Sequence, residues 1–276
     1  DWSSDVCSSD LRRLRGMTDV DCVTADSANP PLVQRVWLPS TEVLLARPQS
    51  GATDGLTVAV KGGHNGEHHN HNDVGSFVIA SDGVPVVVDV GRPTYTRQTF
   101  GPGRYDIWTM QSAWHNTPVV NGHQQSPGER YRARGVHVSL GAESSVWSAD
   151  IADAYPDGVV SRWLRRVSLA DGRIIVRDQW DGTAVESARW HLILAGQVTI
   201  DNVSARALVA PLDEARAVRI AWPSGISAVS TPVRLTDPML TAVWGTRLTR
   251  LELDISSVSE VVVSFDVTST SFEEDQ

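Results

Sequence analysis

The sequence predicts an all-β protein, a large antiparallel β-sandwich. Three observations carry that prediction. Short runs rich in Val, Ile, Leu and Trp recur along the chain, with turn residues between them at regular spacing. Several of those turns are Asp-Gly or Asn-Gly pairs, the strongest short-range hairpin signal. No segment sustains the apolar 3.6-residue period of a long helix.

The elements run in order. Asp1 to Leu11 (DWSSDVCSSDL) read like the conceptual translation of a sequencing-library adapter and are set aside from fold reasoning. Residues 12–35 are polar and carry Pro30-Pro31, so they read as a linker or the remnant of a preceding domain. The sandwich is assigned to residues 36–276. EVLLAR (42–47) and LTVAV (56–60) are strands around a Gly/Asp turn. SFVIA (76–80) leads through Asp82-Gly83 into VPVVVDV (84–90), and VSLADGRIIVRDQW (167–180) repeats the pattern around Asp171-Gly172. Val119-Val120 runs into Asn121-Gly122. RWHLIL (189–194), AVRIAW (217–222), RLTRLELD (247–254) and EVVVSFDV (260–267) continue the series. The best helical candidate is a short turn near Tyr105–Ser112.

A chain of 276 residues suffices for one large β domain or two small ones. A net charge of −9 makes nucleic acid a poor partner. A local arginine cluster could still bind an anionic sugar, and all basic residues except Lys61 are arginine. With Cys7 in the adapter-like stretch, Cys22 stands alone, so no internal disulfide is expected. No run approaches the roughly 18 apolar residues of a membrane span. The ten tryptophans read mainly as sandwich core; Trp108 and Trp114, outside the strands, are the candidates for stacking on a sugar.

GGHNGEHHNHND (62–73) concentrates four of the eight histidines. His69 and His71 are two apart, so an extended backbone would point both to one face, whereas a turn would separate them. An H-x-H pair is half of a zinc site, because neutral imidazole is a preferred ligand. Asp89, closing an apolar run, is either a third ligand, a turn carboxylate bonding near Gly91-Arg92, or the partner of Arg92. His115, in SAWHNTPVV, is a loop or core histidine or a further ligand.

Together these segments resemble the heparinase II/III-like family of polysaccharide lyases. The matching text is GGHNGEHHNHNDVGSFVIASDGVPVVVDVG (62–91) followed by SAWHNTPVVNGHQQ (112–125). The family pattern is an H-x-H, a nearby Asp-x-Gly-Ser-Phe, a strand ending in Asp-x-Gly, and a later His-Asn-Thr. The resemblance implies the C-terminal β-sandwich of such an enzyme, with the N-terminal α/α toroid absent from this chain. It implies zinc, in a structural role, on His71, Asp89 and His115, with His69 directed into the substrate cleft. It implies an acidic polysaccharide substrate and a periplasmic or secreted protein.

Such lyases cleave beside a uronic acid by β-elimination. The C5 proton lies α to a carboxylate, so that carboxylate must be neutralised, a base must take the proton, and an acid must protonate the leaving oxygen. His69 is the one catalytic residue assigned in this chain; the family's principal Tyr and its Asn or His partner belong to the toroid. Arg104 and Tyr105 (GPGRYDIW) are candidates for substrate binding, since a guanidinium can hold a uronate carboxylate in bidentate fashion. Two other readings compete. One is a non-catalytic carbohydrate-binding or structural sandwich. The other is a cupin-like metal oxygenase, which would hold iron on two histidines and a carboxylate.

Overall fold

The computed structural model describes residues 32–181 and 185–268. The chain divides into two units, Asp1–Leu32 and Val33–Gln276. The adapter-like stretch and nearly all of the expected linker lie outside the described residues. The second unit holds the sandwich.

Nineteen strands run through its described residues in chain order. The first seven are β1 (Arg35–Leu38), β2 (Val43–Ala46), β3 (Leu56–Lys61), β4 (His64–Asn65), β5 (Phe77–Ser81), β6 (Val84–Val87) and β7 (Pro118–Val120). Then come β8 (Gly128–Arg132), β9 (Arg134–Leu140), β10 (Ser144–Asp150), β11 (Trp163–Ala170), β12 (Arg173–Trp180) and β13 (Ala188–Leu194). The last are β14 (Gln197–Asp201), β15 (Arg206–Ala210), β16 (Ala217–Ala221), β17 (Ser227–Arg234), β18 (Arg247–Asp254) and β19 (Glu260–Thr268), with helix α1 (Pro238–Trp244) between β17 and β18. The first sheet has the order β1-β2-β3-β5-β6-β13-β18-β17, with β7 also on β13; the second is β14-β15-β16-β19-β12-β11-β10-β9. A small pair, β4-β8, stands apart. Every strand pairing among the described residues is antiparallel, so the expected all-β antiparallel sandwich is the fold.

The hairpin signals act as local chemistry requires. Asp82-Gly83, Asn121-Gly122 and Asp171-Gly172 all have positive φ at both residues, the backbone of the tight turn that matches strand twist. The core fills the space between the sheets with alternate side chains, among them Trp147, Trp163, Trp190, Phe77 and Phe265, all fully buried. A second apolar cluster (Val88, Val90, Ile193, Ala195, Leu235, Leu240 and Leu248) is capped by Trp108, Trp114 and Trp244. Ile193 and Ala195 come from β13 and its end, so the first sheet is apolar on both faces there.

Three local features differ from the sequence-based expectation. The run 84–90 is not one strand: β6 ends at Val87, with a shift in register between Ile79 and Ala80 that places Ile79 opposite Val87 and Ala80 opposite Pro85. That bulge resets the alternation, so Val86 and Val87 both enter the main core while Val88 and Val90 enter the second cluster. The expected helical turn near 105–112 is a chain of 3₁₀ turns over 97–114, each closed by an i to i+3 bond such as Ile107 N to Arg104 O at 3.1 Å. Gly101, Pro102 and Gly103 keep it from becoming a regular helix. Finally, α1 is too short to show a period, but its ends are marked: Asp237 accepts from the Met239 and Leu240 amides, Pro238 follows, and Gly245 ends it at φ 71°. No helix among the described residues is long and apolar enough to cross a membrane.

Candidate metal and substrate site

Three segments converge on the site: the loop 66–76 between β4 and β5, the residues just past β6, and the 3₁₀ chain leading into β7. Each is fixed by polar contacts that the core makes possible. Asn116, fully buried, donates from Nδ2 to the carbonyls of Phe77 (2.6 Å) and Val88 (3.1 Å) and accepts from the Ile193 amide (2.8 Å). It therefore ties the residue after His115 to β5, the end of β6 and β13. Gln125 clamps Val74 through both ends of its side-chain amide, at 3.0 and 2.8 Å, and accepts from Asn65 at 3.1 Å.

A buried ion pair braces the same segments from behind. Arg165 and Asp178 are both fully buried and meet through Nε–Oδ1 at 2.8 Å and Nη2–Oδ2 at 2.6 Å. Asp178 also accepts the indole N–H groups of Trp163 (3.0 Å) and Trp190 (2.9 Å). The remaining guanidinium nitrogen donates to the carbonyls of Gly75 (2.8 Å) and Asn116 (2.7 Å). Such a pair is tolerable in a core only when its donors and acceptors are matched, as here. Gly75 suits this contact: its φ is +80°, and an added Cβ would come within 3.0 Å of the Ile151 side chain.

In this frame His71, Asp89 and His115 come together, with one potential ligand atom from each within 4.8 Å of the others. His115 Nδ1 lies 2.8 Å from Asp89 Oδ2, and His71 Nδ1 lies 3.9 Å from Asp89 Oδ1. The two imidazole centroids are 5.2 Å apart. These separations bracket the edge of about 3.3 Å expected between N and O ligands of a tetrahedral zinc ion with bonds of about 2.05 Å. The donor set also suits zinc, being two imidazoles and a carboxylate. One further observation agrees. Asp89 Oδ1 accepts the Gly91 amide at 2.7 Å, which orients the carboxylate. The nitrogen of His115 that meets Asp89 is Nδ1; its Nε2 is buried without a hydrogen-bond partner among the described residues. Asp89 keeps about a third of its side-chain surface open and lines a cavity of about 140 Å³ with Lys61, Asp73 and Ser76.

The electrostatics divide the trio. Burial pushes His71 down, and neighbouring His115 adds to that, favouring the neutral ligand form. Burial would also lower His115, but the charge and hydrogen bond of Asp89 outweigh it and raise its pKa. For Asp89, burial acts upward, yet His115, His71 and the Gly91 amide hold the carboxyl below the ordinary range. Lys61 is raised, because Asp73 (2.6 Å) and Glu67 (3.2 Å) outweigh its burial.

His69 does not follow His71. Its φ is +57°, so the backbone turns there rather than extending. Its ring is exposed and lies nearly parallel to Tyr95, 6.3 Å between centroids. Arg92 sits 5.0 Å over that same Tyr95 ring instead of pairing with Asp89. Arg104 and Tyr105 both reach the histidine loop at Asn70: Arg104 Nη2 donates to its carbonyl at 2.7 Å and Tyr105 Oη to its side chain at 2.9 Å. Arg104 also donates to the Thr99 carbonyl at 3.0 Å. Trp108 and Trp114 pack edge to face at 4.8 Å, and Arg250 covers Trp114 at 4.9 Å.

Sequence reasoning misses the bracing residues Arg165, Asp178, Asn116 and Gln125. One signal for two of them is present: Arg165 and Asp178 occupy inward positions of otherwise apolar-alternating strands, opposite each other in register. Asn116 and Gln125 carry no comparable pattern.

An antiparallel sandwich with two histidines and an aspartate gathered beside an exposed histidine defines a class of β domains with a potential metal site. Within that class the family assignment is direct. The heparinase II/III-like C-terminal profile matches residues 47–250, and the chain belongs to that family. No curated protein sequence matches the chain. Solved structures share the fold: heparan sulfate lyase HepC from Pedobacter heparinus (14% identity, TM-score 0.71, 96% of this chain and 41% of that one). Two structures of heparinase III are also similar, one with methylated lysines (14%, TM-score 0.70, 95% and 41%) and one other (13%, TM-score 0.67, 87% and 38%). The chain thus spans about two-fifths of the length of these neighbours.

Proposed function

We propose that this chain is the β-sandwich part of a polysaccharide lyase that cleaves uronic-acid-containing glycans by β-elimination. The carrying observation is the convergence of His71, Asp89 and His115, with the exposed His69 two residues before His71 and its ring set against Tyr95 by a left-handed turn. Membership of the heparinase II/III-like family supports the reaction class. Bound on His71, Asp89 and His115, zinc would supply a rigid tie between three segments rather than a nucleophile. His69 then belongs to the set that neutralises the uronate carboxylate and handles its C5 proton. Arg104 and Tyr105 hold the loop that carries His69 and His71, and the same edge of the loop is where a substrate carboxylate would lie. A polymeric substrate fits a periplasmic or secreted protein.

The test is an assay of the complete protein on uronate-containing polymers, following the ultraviolet absorbance of the unsaturated product. Activity lost in His69→Ala, with zinc and thermal midpoint retained, supports the reading. Full activity in that variant would remove His69 from the chemistry. Absence of product on any uronate polymer would favour a binding role for the sandwich.

A further inference from the structure

We propose that the outer face of the second sheet carries a separate binding site for an acidic glycan chain, centred on Arg166. It rests on the proposed function only for the class of ligand, since it uses none of the same residues. In β11 alternate side chains address opposite faces. Arg165 points inward to Asp178, Gly75 and Asn116; Arg166 points out.

The register lays His137, Ser148, Arg166 and Arg177 in one row across β9, β10, β11 and β12. Arg166 and Arg177 are therefore directly opposed, and like charges in that relation repel. Glu260 answers Arg177 at 2.7 Å, and Asp153 is hydrogen-bonded to Arg134. Arg166 is exposed and has no hydrogen-bond or ion-pair partner among the described residues. Nearby Asp150 spends an oxygen on the Ala152 and Trp163 amides, both at 3.0 Å.

Arg134, Arg166 and Arg177 line a cavity of about 470 Å³ with Ser148, Leu164 and Gln179. Arg134 also lines a second cavity of about 380 Å³ with Arg130, Asp153 and Asp157, where each arginine already meets an aspartate. The chemistry is mixed in the way a sugar chain needs. Guanidinium groups hold carboxylates or sulfates in bidentate fashion. Leu164 offers apolar surface to a pyranose face, and Ser148 and Gln179 can bond hydroxyls. The chain as a whole is acidic at −9, so the attraction is local to this row.

The test measures binding of the chain to heparin and to polygalacturonate, with a neutral dextran and a single-stranded oligodeoxynucleotide as controls. Wild type should bind both acidic glycans. Arg166→Ala should weaken binding about tenfold, the loss of a charge-assisted hydrogen bond. Arg166→Glu should weaken it further, with the thermal midpoint unchanged in both, since Arg166 is exposed. Charge reversal at Arg166 should weaken binding by the same factor in wild type and in a His69→Ala background, since the two sites share no residue. Unchanged affinity in a folded Arg166→Glu variant, or no binding by wild type, overturns the proposal and leaves the lyase reading to its own assay. Binding lost in His69→Ala and kept in Arg166→Glu would confine glycan to the metal side and likewise overturn it. Equal oligonucleotide binding through Arg166 would overturn the glycan class.

Discussion

Removing the Asp178 carboxylate should destabilise this domain more than any other single polar substitution around the site. Asp178 is fully buried and accepts four hydrogen bonds, two from Arg165 and one from each of the Trp163 and Trp190 indoles. Asp178→Ala would strand a buried guanidinium, at about 3–5 kcal/mol. It would also orphan two indole N–H groups, at about 1–3 kcal/mol each. The total is on the order of 5–10 kcal/mol, comparable to the roughly 5–15 kcal/mol stability of a typical domain. That variant should be largely unfolded. Asp178→Asn keeps an acceptor and the volume but loses the charge, so it should fold with a cost of about 3–5 kcal/mol. At about 2–4 °C per kcal/mol for a domain of this size, the midpoint should fall by about 10 °C. Thermal unfolding followed by tryptophan fluorescence reads this directly, because Trp163 and Trp190 touch the group removed. Replacing both partners, in Arg165→Met with Asp178→Leu, should recover part of the loss, since no unpaired charge remains. A midpoint within about 2 °C of wild type for Asp178→Asn would refute the reasoning, as would a double variant no more stable than Asp178→Ala.

Other expectations are smaller. Glu252 is held down at about 2, first by its hydrogen bond with His191 and then, against burial, by the charges of His191, Arg250 and Arg189. A depressed carboxyl contributes stability above its unfolded value of about 4.5 and loses it as pH falls through about 2. Wild type should therefore lose at most about 3 kcal/mol across that window, less solvent screening of a quarter-exposed group, and Glu252→Gln should lack this acid-dependent loss in urea titrations. Asp237→Ala should cost about 1–2 kcal/mol, because the carboxylate caps α1 and also accepts from Thr94; calorimetry would show an unchanged midpoint if the cap were idle. Arg104→Ala, which frees the Asn70 carbonyl beside His71, should weaken zinc binding about tenfold in a chelator competition, and undiminished affinity would mean that the loop is held without it.

The strands and hairpins are legible in the sequence because their signals are local. A β-branched run next to Asp-Gly specifies both a strand and its turn within about ten residues, and the Asp-Gly and Asn-Gly pairs at 82–83, 121–122 and 171–172 all take the left-handed backbone. Residues 128–150 are less legible. Strands β8 and β9 read GERYR and RGVHVSL, polar and mostly exposed, so they lack the apolar run that marks a strand. The bulge at the end of β6 is hidden because VPVVVDV looks continuous in sequence; only pairing with β5 and β13 breaks it. The grouping of His71, Asp89 and His115 comes from a motif spread over three separate segments, not from spacing alone, and the folded chain gives it a geometry. The surroundings of the trio are not readable, because Arg165 acts on Gly75 across 90 positions of sequence. A single inward charge in a strand shows that a partner must exist and does not say which.

The proposed zinc tie between three segments is tested most directly by the metal content of the purified chain and its site variants. Zinc is expected in equimolar amount in wild type and in His69→Ala. Loss of zinc, together with a lowered thermal midpoint, is expected in His71→Ala, Asp89→Ala and His115→Ala. Zinc unchanged in those three variants, or iron in its place in wild type, would contradict the assignment.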